Sequence, residues 1–256
     1  SDLRRQRQMC IRDSVNTVKE IITTNKIDCH LKPGVATLGF NSKEVNGLHQ
    51  YAEYLEKKYN YDGLEKLDHK VCSAICGSEK YKGGILDINA AHLHPLRFVF
   101  GLAKAAIQAG ADIFEKSEVT SLLPGKVNRT LTNSGEIQSE FVVLGCNGYL
   151  GNLEQKVAAK VMPINNFIVA TEPLGDRAES VLAKDIAVAD TKFVVNYFRL
   201  SDDKRLLFGG GENYSYKFPT NITSTVLKPM LEIFPHLSNV KICLLYTSPS
   251  PRDRSL

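Results

Sequence analysis

Apolar residues recur at three and four along Val45, Leu48, Tyr51-Ala52 and Leu55, a stripe that predicts a helix opening at Ser42. Lys57-Lys58 close it where cations complement the helix dipole. Val15 to Ile22 reads as the end of an earlier helix, and Ile27 to Leu38 as extended chain broken at Pro33-Gly34. Leu64 to Cys76 predicts a second short helix with Cys72 and Cys76 one turn apart. A Gly83-Gly84 turn and a polar loop bearing His92 and His94 follow. Leu96, Val99, Leu102, Ala103 and Ala106 then mark a helix that Gly110 caps. Ile113 to Leu122 is strand-like, and Val127 to Leu131 with Ile137 to Leu144 forms a hairpin about Asn133-Ser134-Gly135. Its last arm, Phe141-Val142-Val143-Leu144, has the unbroken apolar character of a strand buried on both faces, and it ends in the turn Gly145-Cys146-Asn147-Gly148.

Beyond Gly151 short β segments dominate: residues 165–171, 186–189, 193–200 and 205–209, the last two joined by the turn Ser201-Asp202-Asp203-Lys204. These predict an antiparallel sheet, followed by an amphipathic helix from Ile222 to Phe234 that Pro229 should kink. No internal repeat is present, and the element mix is α/β in the broad, α+β mixed sense.

The two ends change the composition. Codons that spell Met9-Cys10-Ile11-Arg12-Asp13-Ser14 become, on the complementary strand and read one base in, codons for Cys243-Leu244-Leu245-Tyr246-Thr247. Residues 1–14 and 243–256 are therefore expected to be adapter-derived tails, translated from a sequencing library, around a natural segment at 15–242. The chain carries a formal net charge of +4, and the tails hold Arg4, Arg5, Arg7, Arg12, Arg252 and Arg254 against Asp2, Asp13 and Asp253. Most of the basicity thus lies in the tails, which removes the electrostatic case for a nucleic-acid partner. No apolar run approaches the roughly 20 residues of a membrane helix. Cys29, Cys72, Cys76 and Cys146 are scattered without a disulfide framework, which points to a reducing compartment and a cytoplasmic location.

Several segments offer chemistry. Cys72 and Cys76 lack two further zinc ligands and read as buried thiols, so no metal site is expected. His92-x-His94 places two rings on one side of an extended loop, with neither a third metal ligand nor a Gly-x-Ser-x-Gly nucleophile turn nearby. Gly209-Gly210-Gly211 lacks the Gly-x-Gly-x-x-Gly spacing of a dinucleotide loop. Tyr197 and Arg199 alternate onto one sheet face, where a phenol and a fixed cation suit a substrate carboxylate; pairing of the arginine with the turn aspartates is the competing reading.

Taken together, Gly83-Gly84 with Asp87, His94-Pro95-Leu96, Gly101-Leu102-Ala103, Gly110-Ala111 leading to Ser117-x-Val119, and Phe141 to Tyr149 resemble the FAD-dependent D-amino-acid-oxidase-like, or glycine/sarcosine oxidase, family. Leu93-His94-Pro95-Leu96, Met162-Pro163-Ile164, Ala170 to Leu174 and Tyr197 to Ser201 are similar to its gamma-glutamylputrescine oxidase-type members. The resemblance implies a Rossmann-like FAD domain, here incomplete, with a β-rich antiparallel substrate subdomain. It puts the FAD side at about 81–150 and the substrate side at about 151–220. It implies FAD contacts at Val119, Cys146, Asn147 and Gly148 and catalytic roles for His94, Tyr197 and Arg199. The implied reaction is oxidation of a small amine or amino acid, with hydride passing to the flavin. The family's N-terminal strand with its phosphate loop and its C-terminal flavin segment have no counterpart, so the fragment itself is expected to be inactive. Two alternatives stand beside this reading: a flavin dehydrogenase of the same superfamily with another electron acceptor, and a non-catalytic binding domain.

Overall fold

The computed structural model describes residues 2–160, 165–213 and 222–247. In chain order these form α1 (Asp2–Thr24), β1 (Lys32–Gly39), α2 (Ser42–Tyr59), β2 (Leu64–Leu67), α3 (His69–Ile75), β3 (Gly83–His92) and α4 (Pro95–Gln108). Then come β4 (Val119–Leu123), β5 (Asn128–Thr132), β6 (Glu136–Ser139), α5 (Gln155–Ala158), β7 (Asn165–Thr171), β8 (Ala187–Asp190), β9 (Tyr197–Leu200) and β10 (Leu206–Asn213). α6 (Ile222–Ile233) and β11 (Ile242–Thr247) complete the order. The ends set aside in the sequence therefore carry secondary structure, as part of α1 and β11. The Met162-Pro163-Ile164 motif lies outside the described residues.

Eight strands form one mixed sheet in the order β11-β7-β10-β9-β8-β1-β3-β2, and β4-β5-β6 form a separate antiparallel sheet. All neighbours in the large sheet are antiparallel except β1 and β8. The expected antiparallel segments appear as β7, β10, β9 and β8. The parallel step joins them to β1, β3 and β2, so one sheet takes strands from both sides of residue 150.

The large sheet has two unlike faces. Ala36, Leu38, Leu86, Val169, Val188, Phe198, Leu200, Leu206 and Phe208 are buried on the core face, against Val226, Met230 and Ile233 of α6 and Cys72 and Ile75 of α3. Phe198 stacks on Phe208 with ring centroids 5.7 Å apart and meets Phe234 edge-on at 5.1 Å. The alternating residues Val35, Thr37, Ala187, Ala189, Tyr197, Arg199 and Leu207 are only partly buried and form the outer face. α6 continues through Pro229 as one helix.

Four expectations change. Leu64 to Cys76 is a strand and then a helix, because Asp68 accepts a hydrogen bond from the Val71 backbone N–H at 2.8 Å and starts α3 there. Asn41 rather than Ser42 is the N-cap of α2, its side chain accepting from the Glu44 N–H. The loop expected after Gly83-Gly84 is largely β3, held between β1 and β2. The run at 141–144 is not a strand: Phe141 is 82% and Val143 91% exposed, since no strand of either sheet pairs with it among the described residues.

Candidate functional site

The polar residues that the strands bring together lie on the outer face of the large sheet. Tyr197 pairs with Gly209 in β10 and with Ala189 in β8. Its ring crosses β10 directly over Gly209, where a Cβ would stand 2.1 Å from Tyr197 Cζ, so only glycine admits the ring. Its hydroxyl donates a short hydrogen bond to Asn166 Oδ1 of β7. The glycine triplet therefore lies inside a bulged strand, with the register shift falling between Gly209 and Glu212.

Arg199 stands two residues on, on the same face, as alternation predicts. Its Nη1 lies 3.5 Å from Nδ1 of His92, at the long limit of a hydrogen bond. The other ring nitrogen, Nε2, is 3.4 Å from the Asp185 carbonyl. A guanidinium only donates, so Nδ1 accepts and Nε2–H donates: His92 is the neutral Nε2–H tautomer. Burial lowers the His92 pKa and the Arg199 charge adds to this, while the Asp185 carbonyl acts in the opposite direction. Burial also lowers the Arg199 pKa, the charges of Asp185 and Asp202 opposing it.

The turn aspartates are engaged elsewhere. Lys32 Nζ meets Asp185 Oδ2 at 2.5 Å and Asp202 Oδ1 at 2.7 Å, and Asp202 Oδ2 meets His30 Nδ1 at 2.5 Å. Asp203 takes Arg205 and the Ser201 hydroxyl. Hydrogen bonds to Asp185 and Asp202 raise the Lys32 pKa, and the bond from Lys32 lowers that of Asp202. Among the described residues Arg199 forms no ion pair, and the competing reading of an arginine paired with turn aspartates holds for Arg205 instead.

His94 does not join this group directly. It is the N-cap of α4, its Nδ1 accepting from the Arg97 N–H at 3.4 Å, and its own N–H donates to the Cys29 carbonyl at 2.8 Å. Its ring packs edge-on to His30 at 6.1 Å. His92, in β3, is the histidine that touches Arg199. The sequence signal for this strand was available in the alternation of Leu86, Ile88 and Ala90 with Asp87 and Asn89, but the polar residues within it read as a loop.

A cavity of about 710 Å³ opens over the β1–β3 end of the same face, roofed by α1 and α2. Val35, Thr37 and Ile85 form its floor, and Asp87 stands in its wall. The Tyr61 hydroxyl donates to both Asp87 carboxylate oxygens, at 2.6 and 2.8 Å, and the Asn89 and Ala90 N–H groups donate to Oδ1. Asp62 and Lys19 also line it, with Lys19 Nζ on the Asn89 carbonyl at 2.9 Å. No motif in the sequence marks this cavity, because residues far apart in the chain build it.

The remaining expected residues lie elsewhere in the chain. Val119 opens β4 opposite Thr132 in the small sheet. Cys146 is partly buried and precedes a single 3₁₀ turn, Asn147–Tyr149, in which Asn147 takes a left-handed φ of 46°. Among the described residues no glycine-rich loop feeds a helix N-terminus.

The sequence matches the DAO family, FAD dependent oxidoreductase, over residues 2–254. Curated relatives include a probable oxidoreductase OrdL of Rhizobium meliloti, 36% identical over 84% of this chain and 50% of the relative. Gamma-glutamylputrescine oxidoreductase of Escherichia coli is 32% identical over 90% of this chain and 54% of its own length. The chain thus spans about half the length of the curated relatives it matches. Among solved structures, glycine oxidase from Geobacillus kaustophilus superposes with a TM-score of 0.72 at 16% identity, covering 96% of this chain and 65% of that one. L-proline dehydrogenase from P. horikoshii gives 0.73 at 18%, covering 91% and 65%. These two share the fold, and the family match identifies the chain: it belongs to the DAO family of FAD-dependent oxidoreductases.

Proposed function

We propose that this chain is part of an FAD-dependent enzyme that oxidises a primary or secondary amine or an amino acid, and that it carries portions of both the cofactor side and the substrate side. The observation that carries this reading is Arg199: a partly buried cation on the outer sheet face, steadied by a neutral histidine and in no ion pair among the described residues. Such a guanidinium is preorganised to take a carboxylate. The relatives named for gamma-glutamylputrescine, glycine and L-proline support an amine-bearing substrate.

FAD supplies the acceptor for the hydride that leaves the carbon bearing nitrogen. The chain's own residues bind and orient: Arg199 takes the carboxylate, His92 holds the guanidinium in place, and Tyr197, seated over Gly209 with its hydroxyl on Asn166, braces the strands beside it. His94 sets the entry to α4. Backbone at Val119 and at Cys146, Asn147 and Gly148 would hold part of the cofactor, and no glycine-rich loop among the described residues would take its phosphates. The 256-residue chain alone therefore retains little or no flavin.

The test uses the longer protein that carries this segment. Mixed anaerobically with gamma-glutamylputrescine, glycine or L-proline, its flavin absorbance bleaches with at least one of them, and Arg199→Gln raises the KM for that substrate far more than it lowers kcat. A flavin that no amine or amino acid reduces refutes the proposal. Peroxide release on readmitting air separates an oxidase from a dehydrogenase that uses another acceptor.

A further inference from the structure

The strand register sets two opposite charges at the ends of one row. Val35 pairs with Ala187 on one side and with Asp87 on the other. The β8–β9 pairing of Ala189 with Tyr197 and Val188 with Phe198 carries Ala187 to the level of Arg199. Across the outer face the row therefore reads Arg199, Ala187, Val35, Asp87. Three strand spacings span it, about 14 Å between its end strands before the two side chains reach inward. Its middle is one methyl and one isopropyl group.

Each end has capacity for a ligand. Arg199 is steadied by His92 and in no ion pair among the described residues, because Lys32, His30 and Arg205 occupy the neighbouring aspartates. At the other end, Asp87 Oδ1 accepts three hydrogen bonds, whereas among the described residues Oδ2 accepts one, from the shared Tyr61 phenol. That carboxylate stands in the wall of the roofed cavity, where Asp62 and Asp87 outnumber Lys19 and favour a cation.

We infer that this row is a binding site for a long zwitterion, its carboxylate on Arg199, its methylene chain over Ala187 and Val35, and its ammonium on Asp87 inside the cavity. The inference rests on the proposed amine-oxidising function and narrows its substrate class to amines whose cationic end lies several bonds from an anionic one. A compact α-amino acid reaches only one end of the row.

Calorimetric or NMR titration of the 256-residue chain needs no cofactor. The probes are glycine, aminohexanoate and aminooctanoate bearing the amine on the terminal carbon, with octanoate, octylamine and terminal hydroxyoctanoate as controls. Affinity rises with length, and aminooctanoate binds about tenfold or more tighter than octanoate or hydroxyoctanoate, the return for one charged hydrogen bond. Arg199→Gln brings aminooctanoate down to octylamine, and Asp87→Asn brings it down to octanoate. The hydroxyl-for-ammonium exchange is made on the ligand, so the outcome survives a variant that fails to fold. Equal binding of glycine and aminooctanoate, or of aminooctanoate and hydroxyoctanoate, overturns the inference. The two readings fail separately: length-dependent binding without flavin reduction by any amine refutes the function alone, and amine oxidation without length dependence refutes the zwitterion site alone.

Discussion

Gly209→Ala tests whether the Tyr197 ring is seated as described, because the new methyl has nowhere to go. Its Cβ would lie 2.1 Å from Tyr197 Cζ, 2.2 Å from Cε2 and 2.6 Å from the hydroxyl. The backbone cannot retreat, since Gly209 is paired to Tyr197 on one side and to Ile168 on the other. The ring must lift away, giving up its hydrogen bond to Asn166. Overpacking costs about 1–3 kcal/mol and the lost hydrogen bond about 1 more, so a destabilisation of roughly 2–4 kcal/mol is expected. In a Tyr197→Ala background the obstruction is gone, and alanine in a strand is favoured over glycine by about 0.5–1 kcal/mol. The substitution should therefore change sign between the two backgrounds. Urea unfolding of the four proteins, followed by circular dichroism with matching m values, gives the coupling energy. A Gly209→Ala cost that is the same with and without the tyrosine ring would refute the placement.

Three further outcomes follow from named groups. Asp68→Ala removes the side-chain cap of α3 and should cost about 1 kcal/mol in urea unfolding, with Asp68→Asn recovering most of it. His92 is buried as the neutral form and its pKa is lowered, so the unfolded chain takes up a proton before the folded one does. Its stabilising contribution is complete above the ordinary histidine pKa of about 6.5 and is lost as pH falls from there through the lower folded value; His92→Gln should flatten that part of the stability–pH curve. Burial pushes the Cys72 and Cys76 thiols up to about 11 and about 12, so at pH 8 a disulfide reagent should modify exposed Cys243 at once and reach those two only on unfolding.

What the sequence made legible was local. Strand alternation put Tyr197 and Arg199 on one face, three-and-four periodicity found α2 and α4, and Gly110, at a φ of 93°, does follow the end of α4. What it hid was either a boundary decided by one side chain or a contact made across the chain. Asp68 breaks a segment, Leu64 to Cys76, that otherwise reads as one helix, because its carboxylate caps the residues after it. His92 was visible only as half of a histidine pair: its meeting with Arg199 depends on β1 lying beside β8, a parallel pairing between segments about 150 residues apart. Nothing in the local composition of either segment specifies that neighbour. The Tyr61–Asp87 contact and the cavity around it depend on the same sheet.

The largest disagreement, at residues 141–144, follows from what an apolar pattern encodes. Four consecutive apolar residues, like the stripe of Leu96, Val99, Phe100 and Ile107 on α4, record that a surface is to be covered, but not by what. In the described residues both surfaces are exposed, Phe100 at 63% and Phe141 at 82%, whereas Leu38, Leu86, Val169, Val188, Phe198 and Phe208 of the large sheet are buried in the core. The contrast separates two kinds of information in one chain. The large sheet finds the partners of its core face within the described residues, and there the alternation that put Tyr197 and Arg199 on the other face agreed with the structure. The run at 141–144 carries an equally strong burial signal without a partner among the described residues, and there the reading of a strand failed. Pairing, not hydrophobicity, makes a strand: an extended run whose N–H and C=O groups meet no neighbouring strand gains no ladder, whatever its side chains favour.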